Sequence, residues 1–477
     1  HCCAPLLGEG EDGLVALARG RRVHRRDRVP VHHHHPFLCL RAGLLLSGGM
    51  AKKRAATTAK GQPATSPSKK KAKSAAAVPA AVEDPPATDK PEETFEHKVQ
   101  NMLLHNIIKE NHGAEVTDIV FQDCSVGATM HENILATVGS TQANIYDNQH
   151  LGTNLDIMCN FVNEPTEYSQ GGTLRVCCWV TVADGAEASL VVAGDSNEIS
   201  VINVVGTCVQ YLLKGHTKSI AAIAPIPGRS GLLLSSSSDG TMRLWHIASE
   251  SCVRVYHKAD TSAMAALVAH PAGAFFFATD GKGTVRVWPL PSDKDLTRAS
   301  RKTDEVNADV SIVAATSAKG HAWNQLVIPA RCYEATGSAD GPATVRLLGK
   351  TVQGRVVSWD VALSQKGKGK RGKASEVECA VTELSSFKLG DDTGLCKMAV
   401  TKDGEYVCGG DDDGTLFIRR VSTGGLIREL EYYRIKGQVQ AITFSKDERY
   451  ILFANASMIF RYDYWDDLES EGDEDEE

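Results

Sequence analysis

The 477-residue chain carries thirteen cysteines but no Cys-x-x-Cys pair. Cys2 and Cys3 are adjacent, as are Cys177 and Cys178, and the rest are scattered. That spacing suits neither a zinc ribbon, whose ligands come in close pairs, nor a disulfide framework. Reduced thiols in a cytosolic or nuclear protein are the expectation. No apolar run approaches the roughly 18–20 residues that a helix needs to span a bilayer. Catalytic signatures are missing too: no His-Glu-x-x-His, no Gly-x-Ser-x-Gly, and no carboxylate pair that stands out from the acidic background. These absences point to a binding protein that is not an enzyme and uses no metal or cofactor.

What is present is unevenly distributed. Hydrophobic residues make up 42% of the chain and the net charge is −7, yet Met50 to Lys73 is basic and Asp466 to Glu477 is almost purely acidic. Residues 1–49 hold an arginine cluster (Arg19 to Arg28) and a His32–His35 run, and Met50-Ala51-Lys52-Lys53-Arg54 resembles a start. We read 1–49 as disordered, translated upstream sequence. The rival is a signal peptide, but Arg41 interrupts its apolar stretch and no cleavage site follows. Residues 50–92 are rich in Ala, Lys, Pro, Ser and Thr. They cannot bury enough apolar surface to offset ordering entropy and are read as a disordered basic tail. Lys69 to Lys73 is either a nuclear-import or nucleic-acid patch or an ordinary solvated linker. The acidic tail, 466–477, repels itself and stays solvated.

Between residues 93 and 465 the pattern changes to short apolar runs punctuated by Gly, Asp, Asn and Ser. Its clearest stretch starts at Gly215: GHTKSIAAIAPIPGRSGLLLSSSSDGTMRLWHI. Gly215-His216 opens it, Ser-Asp239-Gly240 makes a tight turn, and an alternating strand ends in Trp245-His246. Units of about 40–45 residues with such a Gly-His and Trp-Asp pattern are WD repeats, each one blade of a β-propeller.

Seven turn-then-strand signals follow one another. They run from Gly139 to Asp147, Gly194 to Asn203, Asp239 to His246, Asp280 to Pro289, Gly354 to Asp360, Asp413 to Arg420 and Asn455 to Asp463. The expected fold is therefore all-β, a seven-bladed propeller over 93–465 with disordered tails. A blade cannot bury both faces alone, so blades stack radially. Val356 to Trp359 follows Val345 to Leu348 so closely that the fifth blade reads as compressed, its outer strands poorly formed or missing. A basic, glycine-rich insertion occupies 364–376.

Two constellations invite chemistry. His216 and Asp239, with Ser235 or Ser237, have the residue types of a catalytic triad. In a WD repeat, however, the His, the turn Asp, a strand hydroxyl and the Trp form a buried hydrogen-bonded network that rigidifies the blade. His216, Asp239 and Trp245 are assigned that structural role. Gly367 to Gly372 formally matches Gly-x-Gly-x-x-Gly, but its flanks do not indicate the strand and helix that a dinucleotide site requires. Lys366, Lys368, Lys370, Arg371 and Lys373 are instead a candidate nucleic-acid contact by charge, or a tolerated surface insertion.

Four stretches carry a family resemblance: Ile134 to Ser140 with Ile145-Tyr146; Cys178-Trp179 with Leu190 to Gly194 and Ile199 to Asn203; Leu232 to Trp245; and Ala441 to Tyr462. A weaker fifth is Val345 to Gly349 with Val356 to Trp359. In these the chain resembles the ESC/EED family of Polycomb group WD-repeat proteins, called FIE in plants. The resemblance implies a nuclear, non-catalytic scaffold subunit of a Polycomb repressive complex 2-like histone H3 lysine methyltransferase complex. Its partner would be the SET-domain methyltransferase subunit, and its process chromatin silencing and transcriptional repression. The alternative is a WD-repeat adaptor of another nuclear complex, in ubiquitin ligation or ribosome assembly. The family also holds a trimethyl-lysine of the histone H3 tail in an aromatic cage, which works by cation–π attraction. Here the cage positions fall near Thr117, Arg175, Leu395 and Cys396, none of them aromatic, with Phe121 and Tyr168 close by. Scaffolding is what carries over.

Overall fold

Alternating apolar strands joined by tight turns must bury both faces of every sheet, and they do so by packing sheet on sheet in a ring. The computed structural model describes residues 94–464 except 111, 123–132, 152–153, 184–187, 258–263, 281–282, 294–295, 297–303, 308–321, 335–343, 367–375 and 392–395. The expectations for 1–49, for the basic tail and for the acidic tail lie outside the described residues. In chain order the seven blades span 116–162, 174–214, 220–257, 264–289, 323–388, 399–430 and 439–464. Each seventh of the ring is an antiparallel meander, so the expected propeller is the fold. The seven turn-then-strand signals are the hairpins between second and third strands. In blade 3, for example, Leu232–Ser237 pairs with Thr241–His246. Gly240 turns that corner at φ +83°, a left-handed conformation that costs glycine little.

No single core exists. Buried side chains gather in seven clusters, one at each junction between neighbouring blades. Trp179 and Leu190 of blade 2 meet Ile134 and Ile145 of blade 1. The other face of blade 2, with Val191 and Val201, meets Leu233 and Trp245 of blade 3. The pattern continues between blades 3 and 4, 4 and 5, 5 and 6, 6 and 7, and 7 and 1. Alternation along each strand sends successive side chains into two different cores.

The ring is closed by a strand that precedes blade 1. Met102–Lys109 pairs antiparallel with Met458–Tyr464 and becomes the outermost strand of blade 7. Just before it, the short helix α1 (Phe95–Gln100) lies against blades 6 and 7, its Phe95 ring 4.6 Å from Tyr406 and 5.7 Å from Phe444. The junction between blades 7 and 1 is fastened by Arg461, which is fully buried. Its guanidinium forks onto Asp463 at 2.7 and 2.8 Å and donates to the Asn148 carbonyl of blade 1 at 2.8 Å. His105 of the closing strand reaches the same Asp463 at 2.6 Å.

Blade 5 corrects the expectation of a compressed unit. It has four strands, Trp323–Val327, Thr344–Thr351, Arg355–Lys366 and Glu376–Lys388, the last two the longest among the described residues. Val345–Leu348 and Val356–Trp359 are close in sequence because they are the two arms of one hairpin, turned at Gly354. The insertion also proves shorter than 364–376, since residues 364–366 pair with 376–378 as strand. Blade 4 is the short one, with three strands among the described residues. The strand Asp304–Asn307 runs parallel to the outer strand of blade 3 instead.

Removing one partner from a buried ion pair leaves the other charge uncompensated. Arg461→Met should therefore lower the stability of the ring by about 3–5 kcal/mol, read from urea unfolding midpoints.

Candidate functional site

Blade 3 presents a line of buried polar groups inside an otherwise apolar wall. Trp245 donates its indole N–H to Ser235 Oγ at 2.8 Å, and Ser235 lies 2.7 Å from His216 Nε2. His216 Nδ1 is 2.9 Å from Asp239 Oδ2. Asp239 also accepts from the backbone N–H of Thr217 and Thr241 and from the Thr241 hydroxyl. The assignment that satisfies every group has Ser235 donating to Nε2 and Nδ1–H donating to Asp239. Electrostatics agree with it. Burial holds His216 below its ordinary pKa despite Asp239 beside it, so the ring is neutral. Burial would raise Asp239, but hydrogen bonds with His216 and Thr241 outweigh it and keep the carboxyl ionised. His216, Asp239 and Trp245 are thus brought together, with Ser235 as the link. The order Asp–His–Ser matches a hydrolase triad, but Ser235 is fully buried beneath Trp245 and offers no nucleophile to a substrate. Ser237 bonds backbone carbonyls at Lys218 and Ser219.

Strand register shows why the network is complete in blade 3. Trp245 faces Leu233, and Ser235 lies two residues further along. The same facing position holds Tyr146 in blade 1, Trp288 in blade 4, Trp359 in blade 5 and Tyr462 in blade 7. Two residues beyond their partners stand Thr137, Ala278, Gly349 and Phe453 respectively. Only Thr137 is a hydroxyl, and blade 1 does build a counterpart. His112, four residues before its inner strand as His216 is before its own, reaches Thr137 at 3.1 Å. Glu110 replaces the turn aspartate, accepting from Thr137 at 2.7 Å and from Asn144 at 2.5 Å. Burial would raise its pKa, yet bonds with His112 and Tyr146 hold it low. Sequence reasoning missed this network because its acid precedes the blade instead of sitting in the turn. Where the hydroxyl is absent, the indole N–H groups of Trp288 and Trp359 are buried without a partner.

A second polar cluster gathers around the segment 396–398. Asp118 of blade 1 is 2.8 Å from Lys397 Nζ and accepts from the Cys177 backbone at 3.1 Å. Lys397 belongs to the segment before blade 6, so the pair reaches across blade 7. Gln325 of blade 5 clasps Met398 through both N–H and C=O. Lys350, fully buried, donates to the Cys396 carbonyl at 2.6 Å, and burial pushes its ammonium down to about 8. Segment 396–398 is a hub for blades 1, 5, 6 and 7. The signal for it in the sequence was faint: one lysine in the run Val345 to Thr351.

The described cage positions are occupied by side chains with partners of their own or by a buried thiol. The Thr117 hydroxyl lies 3.1 Å from the Val138 carbonyl. Arg175 pairs with Asp195 through two hydrogen bonds, at 2.5 and 2.9 Å. Cys396 is buried, which raises its thiol to about 11. Leu395 lies outside the described residues. Phe121 packs on the core between blades 7 and 1, whereas Tyr168 is 73% exposed on the loop after blade 1. Of the basic insertion, Lys366 ends a strand, and Lys368, Lys370, Arg371 and Lys373 lie outside the described residues. Both described flanks are strands, not the strand and helix of a dinucleotide site. The nine described cysteines are free thiols. Among the described residues no group of three His, Cys, Asp or Glu could hold a metal, and no helix is long and apolar enough to cross a membrane.

A closed ring of seven sheets, stiffened by a Trp–Ser–His–Asp network, defines a WD-repeat β-propeller. Residues 206–246 match the WD domain, G-beta repeat. The chain is 28% identical over 148 residues to the Polycomb protein esc of Drosophila melanogaster, covering 31% of this chain and 33% of that protein. It is 27% identical over 163 residues to the Polycomb group protein FIE1 of Oryza sativa subsp. japonica, covering 33% and 41%. The Polycomb group protein FIE2 of Zea mays is 26% identical over 161 residues, with the same coverage. The chain thus spans about a third to two fifths of the length of these relatives. Over that part it is similar to the Polycomb group proteins esc and FIE.

Two measurements check the site's energetics. Ser235→Ala leaves a buried indole N–H and a buried imidazole nitrogen unpaired and should cost about 1–3 kcal/mol, whereas Ala278→Ser gives Trp288 an acceptor and should add up to about 1 kcal/mol; calorimetric melting reads both. His270 is buried, its Nδ1 accepts from the Ala272 N–H, and burial pushes it down to about 4. An unfolded histidine titrates near pH 6.5. Between about pH 6.5 and 4 the unfolded chain binds protons that the folded chain refuses, so stability falls as pH drops through that window. His270→Phe should flatten the dependence of the urea midpoint on pH by about one proton.

Proposed function

We propose that this chain is a non-catalytic scaffold subunit of a Polycomb repressive complex 2-like histone H3 lysine methyltransferase complex, acting in the nucleus in chromatin silencing and transcriptional repression. Its similarity to proteins named Polycomb esc and FIE carries the reading. A ring whose buried polar groups are spent on stiffening blades suits a platform that holds other subunits in fixed relation. The principal partner is the SET-domain methyltransferase subunit. Reading of a trimethylated H3 tail is left out of the proposal, because Thr117, Arg175 and Cys396 supply no aromatic face. The cationic insertion around Lys366 to Lys373 adds salt-dependent contact with nucleic acid.

Affinity purification of the tagged full chain from nuclear extract, with mass spectrometry, tests this. A SET-domain methyltransferase should co-purify in near-stoichiometric amount. Recovery of cullin or pre-ribosomal subunits in its place would assign the chain to ubiquitin ligation or ribosome assembly.

A further inference from the structure

A cavity of about 340 Å³ opens on the outer wall of the ring, between the outermost strands of blades 1 and 2. Its walls include three aromatic side chains, Phe161, Tyr168 and Tyr211, and two exposed carboxylates, Glu164 and Glu250. We propose that it binds one cationic side chain, a lysine or arginine of an extended basic peptide from a partner protein.

Three observations support this. First, Tyr168 is 73% exposed, yet the loop that carries it is fixed. Thr166 Oγ1 accepts from the backbone N–H of Tyr168 at 3.2 Å and of Ser169 at 3.0 Å. The carboxylate of Glu198, itself nearly buried, takes the Ser169 hydroxyl and the Gln170 N–H, both at 2.9 Å. Asn163 closes the loop by donating to the Gly172 carbonyl at 2.8 Å. A large aromatic ring held in water by a rigid loop gives contact area at little ordering cost, which is how an interface anchor is built. Second, the charge balance is negative. The cation beside the cavity, Lys214, is 3.0 Å from Glu198 and also bonds the Tyr168 carbonyl. That pairing leaves Glu164 and Glu250 as the lining carboxylates whose charge Lys214 does not neutralise, although Glu250 Oε1 accepts from the Leu212 N–H at 2.9 Å. Third, aromatic faces and carboxylates attract the same ligand, since a cation interacts favourably with the ring quadrupole and with the negative charge. An acidic or purely apolar occupant would gain from only one of them or be repelled.

The volume suits one long side chain, so affinity comes from a single seated residue with flanking backbone on the wall. The site is separate from Thr117, Arg175 and Cys396, and it stands or falls independently of membership in a methyltransferase complex.

The test is fluorescence anisotropy of the full chain with a labelled, capped peptide of alternating Lys and Ala. A twin with norleucine in place of each Lys removes the charge and keeps the shape. The Lys peptide should bind and the norleucine twin should bind about tenfold or more weakly. Tyr168→Ala should weaken the Lys peptide by a similar factor, the scale of an aromatic anchor. Glu164→Gln should weaken it less and reduce its salt dependence. Both substituted side chains are exposed, and an unchanged melting temperature confirms the fold. Equal affinity of wild type and Tyr168→Ala would place binding on the acidic tail or another surface and overturn the proposal. So would undiminished binding of the norleucine twin.

Discussion

A blade with two apolar faces cannot exist alone in water, and that constraint governs this protein. Each sheet has one set of side chains for the blade before it and another for the blade after it, so the molecule has seven small cores in a circle. An open row would leave a terminal face exposed at each end. Closure removes both, and the strand Met102–Lys109 makes it covalently continuous by crossing to the last blade. The polar fastening at Arg461, Asp463, Asn148 and His105 sits at the seam where the strand Met102–Lys109 and blade 1 meet the last blade.

The hydrogen-bonded networks follow from the same geometry. A Trp or Tyr on the third strand fills the wall between blades, and its polar edge then needs a partner inside that wall. Blade 3 supplies one through Ser235, and blade 1 does so through Thr137 with an acid brought in from the closing strand. Glu110 therefore links the closure of the ring to the stiffness of its first blade. Blades 4 and 5 retain the ring systems and lack the hydroxyl, and they carry orphaned indoles as a result. Packing decides the blade, and the network refines it.

Function on such a frame belongs to whatever the loops and outer strands present. Blades 1 and 5 are tied to the segment 396–398, where Lys350, Gln325 and Asp118 satisfy backbone and charge from those two blades. This leaves the wall and the loop faces as binding surfaces. The loop bearing Tyr168 shows the same economy, since a buried carboxylate, Glu198, orders it from beneath while its aromatic ring remains in solvent.

Much of this was legible in the sequence because it is local. Turn residues, two-residue alternation and the Gly-His and Trp signals in 215–245 act within one hairpin or one blade, and they marked all seven hairpins and the group His216, Asp239 and Trp245. The compressed reading of blade 5 failed for the opposite reason. Its outer strand, 376–388, is separated from its partner by a glycine- and lysine-rich insertion, and pairing across that gap is a long-range event with no local mark. The Glu110 and His112 network, the hub at 396–398 and the cavity beside Tyr168 were equally hidden. The sequence by itself determined the kind of unit, how many there are and which residues turn each corner, because short-range sterics and alternation write those. Tertiary structure alone decided the Glu110–Thr137 network, the hub at 396–398 and the cavity beside Tyr168, because those contacts join residues tens of positions apart and exist only once the blades have packed.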